Sequence, residues 1–202
     1  MTWLLRHNAV AAGVPMGADG YVTMADLLKF LNGPKGKVVP RGGAAVTQDL
    51  VEAIVATCPK QRFQLREDGA AVRATQGHSL AHVKEDLLLH PVVDPASVPI
   101  AVHGTFSRAW ASILATGLNR GSRQHIHMAV DKPGGTHAVV SGARASADVF
   151  IYVDVAKAMA DGIPFYRSEN NVILTPGVDG VLDPKYFKRV ECAGRVIYTN
   201  GG

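Results

Sequence analysis

The chain has 202 residues, 47% hydrophobic and 19% charged, with a formal net charge of +4 at pH 7. It is long enough to bury a sizeable core, its composition excludes a disordered or collagen-like polymer, and no apolar run approaches the roughly 20 residues of a membrane-spanning helix. Residues 1–95 carry ten Lys/Arg against nine Asp/Glu and residues 96–202 eleven against eight, so neither half coats nucleic acid through bulk charge and any such contact rests on a few placed arginines.

In chain order, residues 2–10 are apolar and free of breakers, which predicts a short helix, and Ala18-Asp19-Gly20 marks a turn. Thr23 is placed to cap a helix running through Lys29, with Met24, Leu27, Leu28 and Leu31 at helical spacing. Residues 32–43, rich in Gly and Pro, read as a loop. A second helix is expected from about Thr47, with Leu50, Ile54 and Val55 sharing a face and Cys58-Pro59 ending it. Residues 62–66 and 71–75 are extended runs around Glu67-Asp68-Gly69, a hairpin signal. Helix, helix, helix, hairpin is the order of a winged-helix module, although many small α+β domains share it.

Pro91, Pro95 and Pro99 punctuate residues 91–99 and separate the halves. Beyond them, residues 100–103 read as a strand leading into a helix with Trp110, Ile113 and Leu114 on one face, stopped by Gly117. Residues 126–130, 149–153 and 172–174 are further β-rich runs, and a brief helix over 155–160 stops at Gly162. This half reads as a compact, strand-rich α/β domain. Cys58 and Cys192 are too few and too far apart for a disulfide framework or a cysteine metal site. Residues 1–7 lack the basic-then-apolar layout of a secretory signal, so the expected setting is intracellular, cytoplasmic or nuclear.

Four clusters carry chemistry-bearing side chains. Arg6 and His7 are adjacent, about 100° apart on a helix, so both can reach one groove; a surface pair on an amphipathic helix fits the same residues. Arg73 lies on the second hairpin strand, and Gln76-Gly77-His78-Ser79 forms its exit, a turn able to present donors to an anion or simply to be a polar loop. His103-Gly104-Thr105 stands where a strand meets a helix: glycine admits a ligand to the backbone, and a helix N-terminus favours phosphate. Arg123-Gln124-His125-Ile126-His127 puts two imidazoles on one strand face, as zinc sites do, but no third ligand follows at a matching interval, and the arginine favours an anion.

In this order and spacing the clusters resemble the tRNA 2′-phosphotransferase family, NAD⁺-dependent RNA 2′-phosphotransferases. Asp19-Gly20-Tyr21, Gly162-Ile163-Pro164-Phe165, Ser168 with Asn170, and residues 172–177 add to the match, which runs from about Leu4 to Phe187. The resemblance implies an α+β fold, with a winged-helix RNA-binding lobe at 1–95 and an ADP-ribosyltransferase-like NAD⁺-binding lobe at 96–202. It implies RNA with an internal 2′-phosphate, left at a tRNA splice junction, bound between the lobes. The 2′-phosphate attacks the anomeric carbon of the nicotinamide ribose and releases nicotinamide. The ribose 2″-hydroxyl then attacks phosphorus, giving 2′-hydroxyl RNA and ADP-ribose 1″,2″-cyclic phosphate. The family's Arg-His-Arg-Arg set maps onto Arg6, His7, Arg73 and Arg123, the arginines serving the phosphate and His7 orienting or accepting from the ribose hydroxyl.

By the same resemblance His103, Gly104 and Thr105 line the NAD⁺ site, with His127 and Asn170 beside them, while His125 is structural and His78 and Ser79 anchor the hairpin exit. NAD⁺ is the co-substrate; no metal, membrane or obligate protein partner is implied. His82, His90 and His137 carry no motif and are expected at the surface. Members of the family have more helix ahead of Leu-Arg-His, so a trimmed N-terminus is expected. They often have Gly where this chain has Asn171, a residue that tolerates unusual backbone angles. Two rivals share many of these residues: an ADP-ribosyltransferase acting on nucleic-acid terminal phosphates or on protein, and a winged-helix binder with a degenerate second lobe. The full Arg6, His7, Arg73 and Arg123 set argues against the first, and intact motifs in both lobes with a near-neutral N-terminal half argue against the second.

Overall fold

The computed structural model describes residues 1–36, 43–135, 142 and 146–200; the expected loop at 32–43 lies partly, and His137 wholly, outside them. The chain divides into two compact units, Met1–Leu88 and Leu89–Gly202.

The first unit opens with a helical turn whose residues Leu4–Asn8 are wound as a π-helix, where a regular helix over 2–10 is the sequence expectation. The wider turn buries Leu4, Leu5 and Arg6 together. Strand β1 (Val22–Thr23) follows, and then α1 (Met24–Leu31), whose first turn is closed by Thr23: its Oγ1 accepts from the Asp26 N–H at 3.1 Å. Met24, Leu27 and Leu31 are buried along one face. Helix α2 (Gln48–Thr57) starts at Thr47, as its sequence predicts. Its buried face differs from the expected one: Val51 is fully buried, while Leu50 and Ile54 are 38% and 40% exposed. The helix has apolar residues on two neighbouring stripes, and it is the Val51 and Val55 stripe that packs into the core.

Strands β2 (Phe63–Leu65) and β3 (Ala71–Ala74) form the expected hairpin, with Gln64 opposite Arg73. Strand β1 adds to the other side of β3, Val22 facing Val72, and gives the order β1-β3-β2. That pairing joins segments fifty residues apart in the chain, beyond the reach of local pattern.

The second unit begins with β4 (Leu89–Pro91), which pairs antiparallel with β9 (Tyr166–Ser168) in a sheet ordered β4-β9-β10-β7. There β7 is Ile126–Met128 and β10 is Ile173–Thr175. A second four-stranded sheet runs β13-β12-β8-β5, from Arg195–Thr199, Phe187–Cys192, Val149–Val153 and Val102–Thr105. The expected strand at 100–103 thus lies two residues later. Strands β6 (Leu118–Asn119) and β11 (Val181–Leu182) form a short ribbon. Helix α3 (Ser107–Thr116) stops at Gly117 and packs Trp110 and Ile113 on the core, whereas Leu114 points outward. Helix α4 (Val155–Ala160) is capped by the Asp154 side chain. Phe165, Phe187, Met128, Ile151 and Ile173 are fully buried between these elements. No helix among the described residues is long and apolar enough to cross a membrane.

Candidate active site

In the first unit the π-helical turn presents Arg6 and His7. Single π turns inside helices widen the backbone locally and recur at functional sites. Arg6 is buried, only 8% exposed, and a guanidinium keeps its charge when buried. His7 is half-buried, with Nδ1 3.0 Å from the Ser79 hydroxyl. The turn packs Leu4, Leu5 and Ala9 against Val72 and Ala74 of β3, the strand that carries Arg73.

Arg73 is gripped from three sides. Its Nε donates to Gln64 Oε1 across the strand pair at 2.9 Å, its Nη1 donates to the Asp19 carbonyl at 3.2 Å, and the guanidinium lies 4.6 Å from the centre of the Tyr21 ring. The planar group is held by one edge and one face, which orients a rigid fork better than a lysine ammonium is oriented. Gly20, between the gripping residues, has φ +74°, and a Cβ there would sit 3.3 Å from His78 Nε2. The Asp19-Gly20-Tyr21 motif is thereby accounted for: two contacts on Arg73 and a turn only glycine makes without strain.

The Gln76-Gly77-His78-Ser79 turn does bind an anion, and the anion is the protein's own. Glu85 Oε1 accepts the Gly77 and His78 N–H groups at 3.0 and 2.9 Å and lies 3.1 Å from His78 Nδ1. The His78 and Glu85 side chains are 0% and 1% exposed. Gly77 supplies the φ of +85° that lets successive N–H groups converge on one oxygen. The turn's backbone donors therefore serve Glu85 rather than a ligand.

In the second unit His103 is on β5, where its Nδ1–H donates to the His127 carbonyl of β7 at 2.9 Å. Val102 and Ala129 exchange backbone hydrogen bonds of 2.9 and 2.8 Å, tying the two strands together beside this pair. Gly104 and Thr105 complete β5. The expected phosphate seat at the N-terminus of α3 is corrected by the structure: the Asp148 carboxylate accepts the Ser107 N–H and hydroxyl, both at 2.9 Å. An anion from elsewhere in the chain already complements that helix end.

His127 is buried on β7 opposite Leu174, and His125 packs edge-on against Tyr166 at 5.5 Å, a packing contact. Asn170 is buried in the β9–β10 turn, where its Oδ1 accepts from the Ser168 hydroxyl at 2.8 Å. Asn171 beside it has φ +59°, the left-handed conformation for which Gly or Asn is suited. Arg123 is half-buried in the turn before β7, where its carbonyl accepts from Arg120 Nη1 at 2.6 Å. His90 is exposed and 2.9 Å from Glu169, and His82 is exposed. Among the described residues no group of three or more His, Cys, Asp or Glu is placed to hold a metal ion.

In the first unit the π-helical turn with Arg6 and His7 packs on β3, the strand that also carries Arg73, and in the second the His127 carbonyl holds His103. Tyr21, Gln64 and Glu85 are supporting residues that sequence reasoning does not single out. Tyr21 sits inside a matched motif, and the Gln64 pairing follows once the hairpin register is known, but Glu85 carries no local signal.

Residues 1–177 match the family model described as RNA 2′-phosphotransferase, Tpt1 / KptA family. A Bos taurus protein named tRNA 2′-phosphotransferase 1 is 44% identical over 194 residues, covering 93% of this chain and 71% of its own length. Its Homo sapiens counterpart is 43% identical over 194 residues, covering 93% and 72%. A probable RNA 2′-phosphotransferase of Agrobacterium fabrum is 36% identical over 178 residues, covering 88% and 87%. The chain belongs to the RNA 2′-phosphotransferase family.

Proposed function

We propose that this enzyme transfers the internal 2′-phosphate of spliced RNA, tRNA above all, to NAD⁺, yielding 2′-hydroxyl RNA, nicotinamide and ADP-ribose 1″,2″-cyclic phosphate. The observation that carries the reading is the arrangement of Arg6 and His7 on a π-helical turn packed against the strand of Arg73, in a chain of this family. In this reading the first lobe, residues 1–95, is a winged-helix RNA-binding module. The succession of helical turn, β1, α1, α2 and the β2–β3 hairpin supports it. The strand-rich second lobe, residues 96–202, is ADP-ribosyltransferase-like and takes NAD⁺.

The donor set on β5 fits a polyhydroxylated dinucleotide. His103 with its Nδ1–H committed to a carbonyl offers Nε2 as an acceptor, Thr105 adds a hydroxyl, and Gly104 leaves the backbone open between them. His127 adjoins that set through the carbonyl that fixes His103, and Asn170 is assigned to the same site by the family resemblance. With Asp148 at the α3 N-terminus, the diphosphate is held by side chains rather than by that helix end. Bound there, NAD⁺ supplies an electrophilic anomeric carbon with nicotinamide as leaving group, and a neighbouring hydroxyl.

Arg6, Arg73 and Arg123 hold the RNA 2′-phosphate dianion, first as nucleophile and then as the centre under attack. Guanidinium groups stabilise both its ground charge and the charge that develops at phosphorus, so the reaction needs no metal. His7 accepts the proton of the attacking hydroxyl at Nε2, because it is the only member of the set that titrates near neutrality. The grip of Gln64, Asp19 and Tyr21 fixes the Arg73 fork before substrate arrives, which lowers the cost of organising it.

The test is a short RNA with one internal 2′-phosphate, incubated with and without NAD⁺ and resolved by electrophoresis and mass spectrometry. NAD⁺-dependent conversion to 2′-hydroxyl RNA is the expected result. Accumulation of ADP-ribosylated RNA without release would support a transferase that stops after one step, and no reaction in either condition would overturn the reading.

A further inference from the structure

One buried network beside the site has no part in the reaction described above. Glu85, seven residues beyond His78, is buried with one carboxylate oxygen accepting from the Gly77 N–H, the His78 N–H and the His78 ring. An imidazole nitrogen facing a carboxylate oxygen donates to it, so His78 carries its proton on Nδ1. His78 Nε2 has no hydrogen-bond partner among the described residues. Three donors on one buried oxygen fix the conformation of this turn more firmly than a solvent-exposed loop would hold it.

The next residue, Ser79, joins that turn to the π-helical turn twice. Its N–H donates to the Arg6 carbonyl at 3.0 Å, and its hydroxyl lies 3.0 Å from His7 Nδ1. One residue therefore grips the backbone of the first catalytic candidate and the side chain of the second. The role given to His7 requires a lone pair on Nε2. Nδ1 must then carry the proton, and the Ser79 oxygen must accept it. A histidine with no such partner samples both tautomers and a wider range of ring orientations, and loses the fraction of time spent in the productive one.

We infer that Ser79 is a positioning residue that sets the tautomer and aim of His7, and that buried Glu85 holds Ser79 in place. The inference rests on the reading of His7 as proton acceptor. It predicts an effect on turnover without an effect on binding, since neither side chain is assigned a contact with RNA or NAD⁺.

The experiment pairs a measurement that needs no reaction with one that does. Nitrogen-15 NMR of the His7 ring in the ligand-free protein reads the tautomer directly: the wild type shows Nδ1–H, and Ser79→Ala shifts the population toward Nε2–H. In steady-state assays Ser79→Ala lowers kcat about ten-fold, the size of one net hydrogen bond, with KM for RNA and for NAD⁺ within two-fold and a melting temperature lowered by no more than a few degrees. Ser79→Thr, which keeps the hydroxyl, restores most of the loss, and Glu85→Gln lowers kcat several-fold with KM unchanged. An Nε2–H tautomer in the wild type, or wild-type kcat in Ser79→Ala, overturns the role of Ser79. Wild-type kcat in Glu85→Gln overturns that of Glu85. If the wild type shows no phosphotransfer the functional reading fails, and the NMR comparison still decides whether Ser79 sets the tautomer.

Discussion

Arg73→Ala is the substitution whose consequences the structure allows to be worked out most fully. In the folded protein the guanidinium gives Nε to Gln64 at 2.9 Å and Nη1 to the Asp19 carbonyl at 3.2 Å, and it rests on the Tyr21 ring. Gln64 and Tyr21 are only partly buried and the third partner is a backbone carbonyl, so water can reach the groups that truncation leaves behind. The stability cost is therefore about 1.5–4 kcal/mol, two net hydrogen bonds plus a modest cation–π contact. The catalytic cost is larger. Two charge-assisted hydrogen bonds to the phosphate at about 1.5–3 kcal/mol each sum to about 3–6 kcal/mol, a loss in kcat/KM of about 10²- to 10⁴-fold. Arg73→Lys keeps the charge but cannot meet Gln64, Asp19 and a phosphate from one ammonium, and should fall between the two, about 10- to 100-fold below wild type. Single-turnover phosphate removal, beside thermal melts of the same preparations, separates the two costs. Activity of Arg73→Ala within three-fold of wild type, at equal folded fraction, would refute the reasoning.

His7→Ala should impair the second step more than the first, so RNA carrying ADP-ribose on its 2′-phosphate builds up and is visible on a gel; loss of phosphate removal without that species would assign His7 elsewhere. At Asn171, with φ +59° and its side chain hydrogen-bonded to Arg167, Asn171→Ala should cost about 1–2 kcal/mol in urea melts and Asn171→Gly distinctly less, and equal costs would exclude the backbone explanation. The Tyr186 hydroxyl, donating at 2.7 Å, and then the Lys185 ammonium hold the Asp161 carboxyl below the usual carboxylate value. A depressed folded value stabilises the fold above the unfolded titration range and loses that contribution as pH falls through the folded one. Tyr186→Phe should accordingly raise the Asp161 midpoint in an NMR titration and flatten the loss of stability below about pH 4; an unmoved midpoint would contradict the assignment.

Local signals in the sequence carried the helices and the hairpin. Thr23 and Thr47 announce α1 and α2 because a capping side chain acts within three residues, and Glu67-Asp68-Gly69 announces the turn between β2 and β3 for the same reason. Pairings over distance were not legible. Strand β1 is two residues long and exists through its bonds to β3, and the β12–β13 hairpin hides in a mixed run of charged and apolar residues over 187–199. The buried face of α2 is not legible in the sequence because Leu50 and Ile54 are as apolar as Val51 and Val55, and only packing chooses between the stripes. Around the residues the motifs single out, the structure supplies partners that the sequence leaves unstated. Gly77 and the N-terminus of α3 both read as seats for an external anion, and both hold an internal carboxylate, from Glu85 and Asp148, which sequence position does not reveal.

The central claim is that phosphorus moves from RNA to NAD⁺ intact, and following that atom tests it most directly. RNA labelled at its internal 2′-phosphate with phosphorus-32 is incubated with the protein and NAD⁺, and the label is traced by chromatography. The account predicts that the label leaves the RNA only when NAD⁺ is present and appears in ADP-ribose 1″,2″-cyclic phosphate. Label released as inorganic phosphate, or lost from the RNA without NAD⁺, would contradict it.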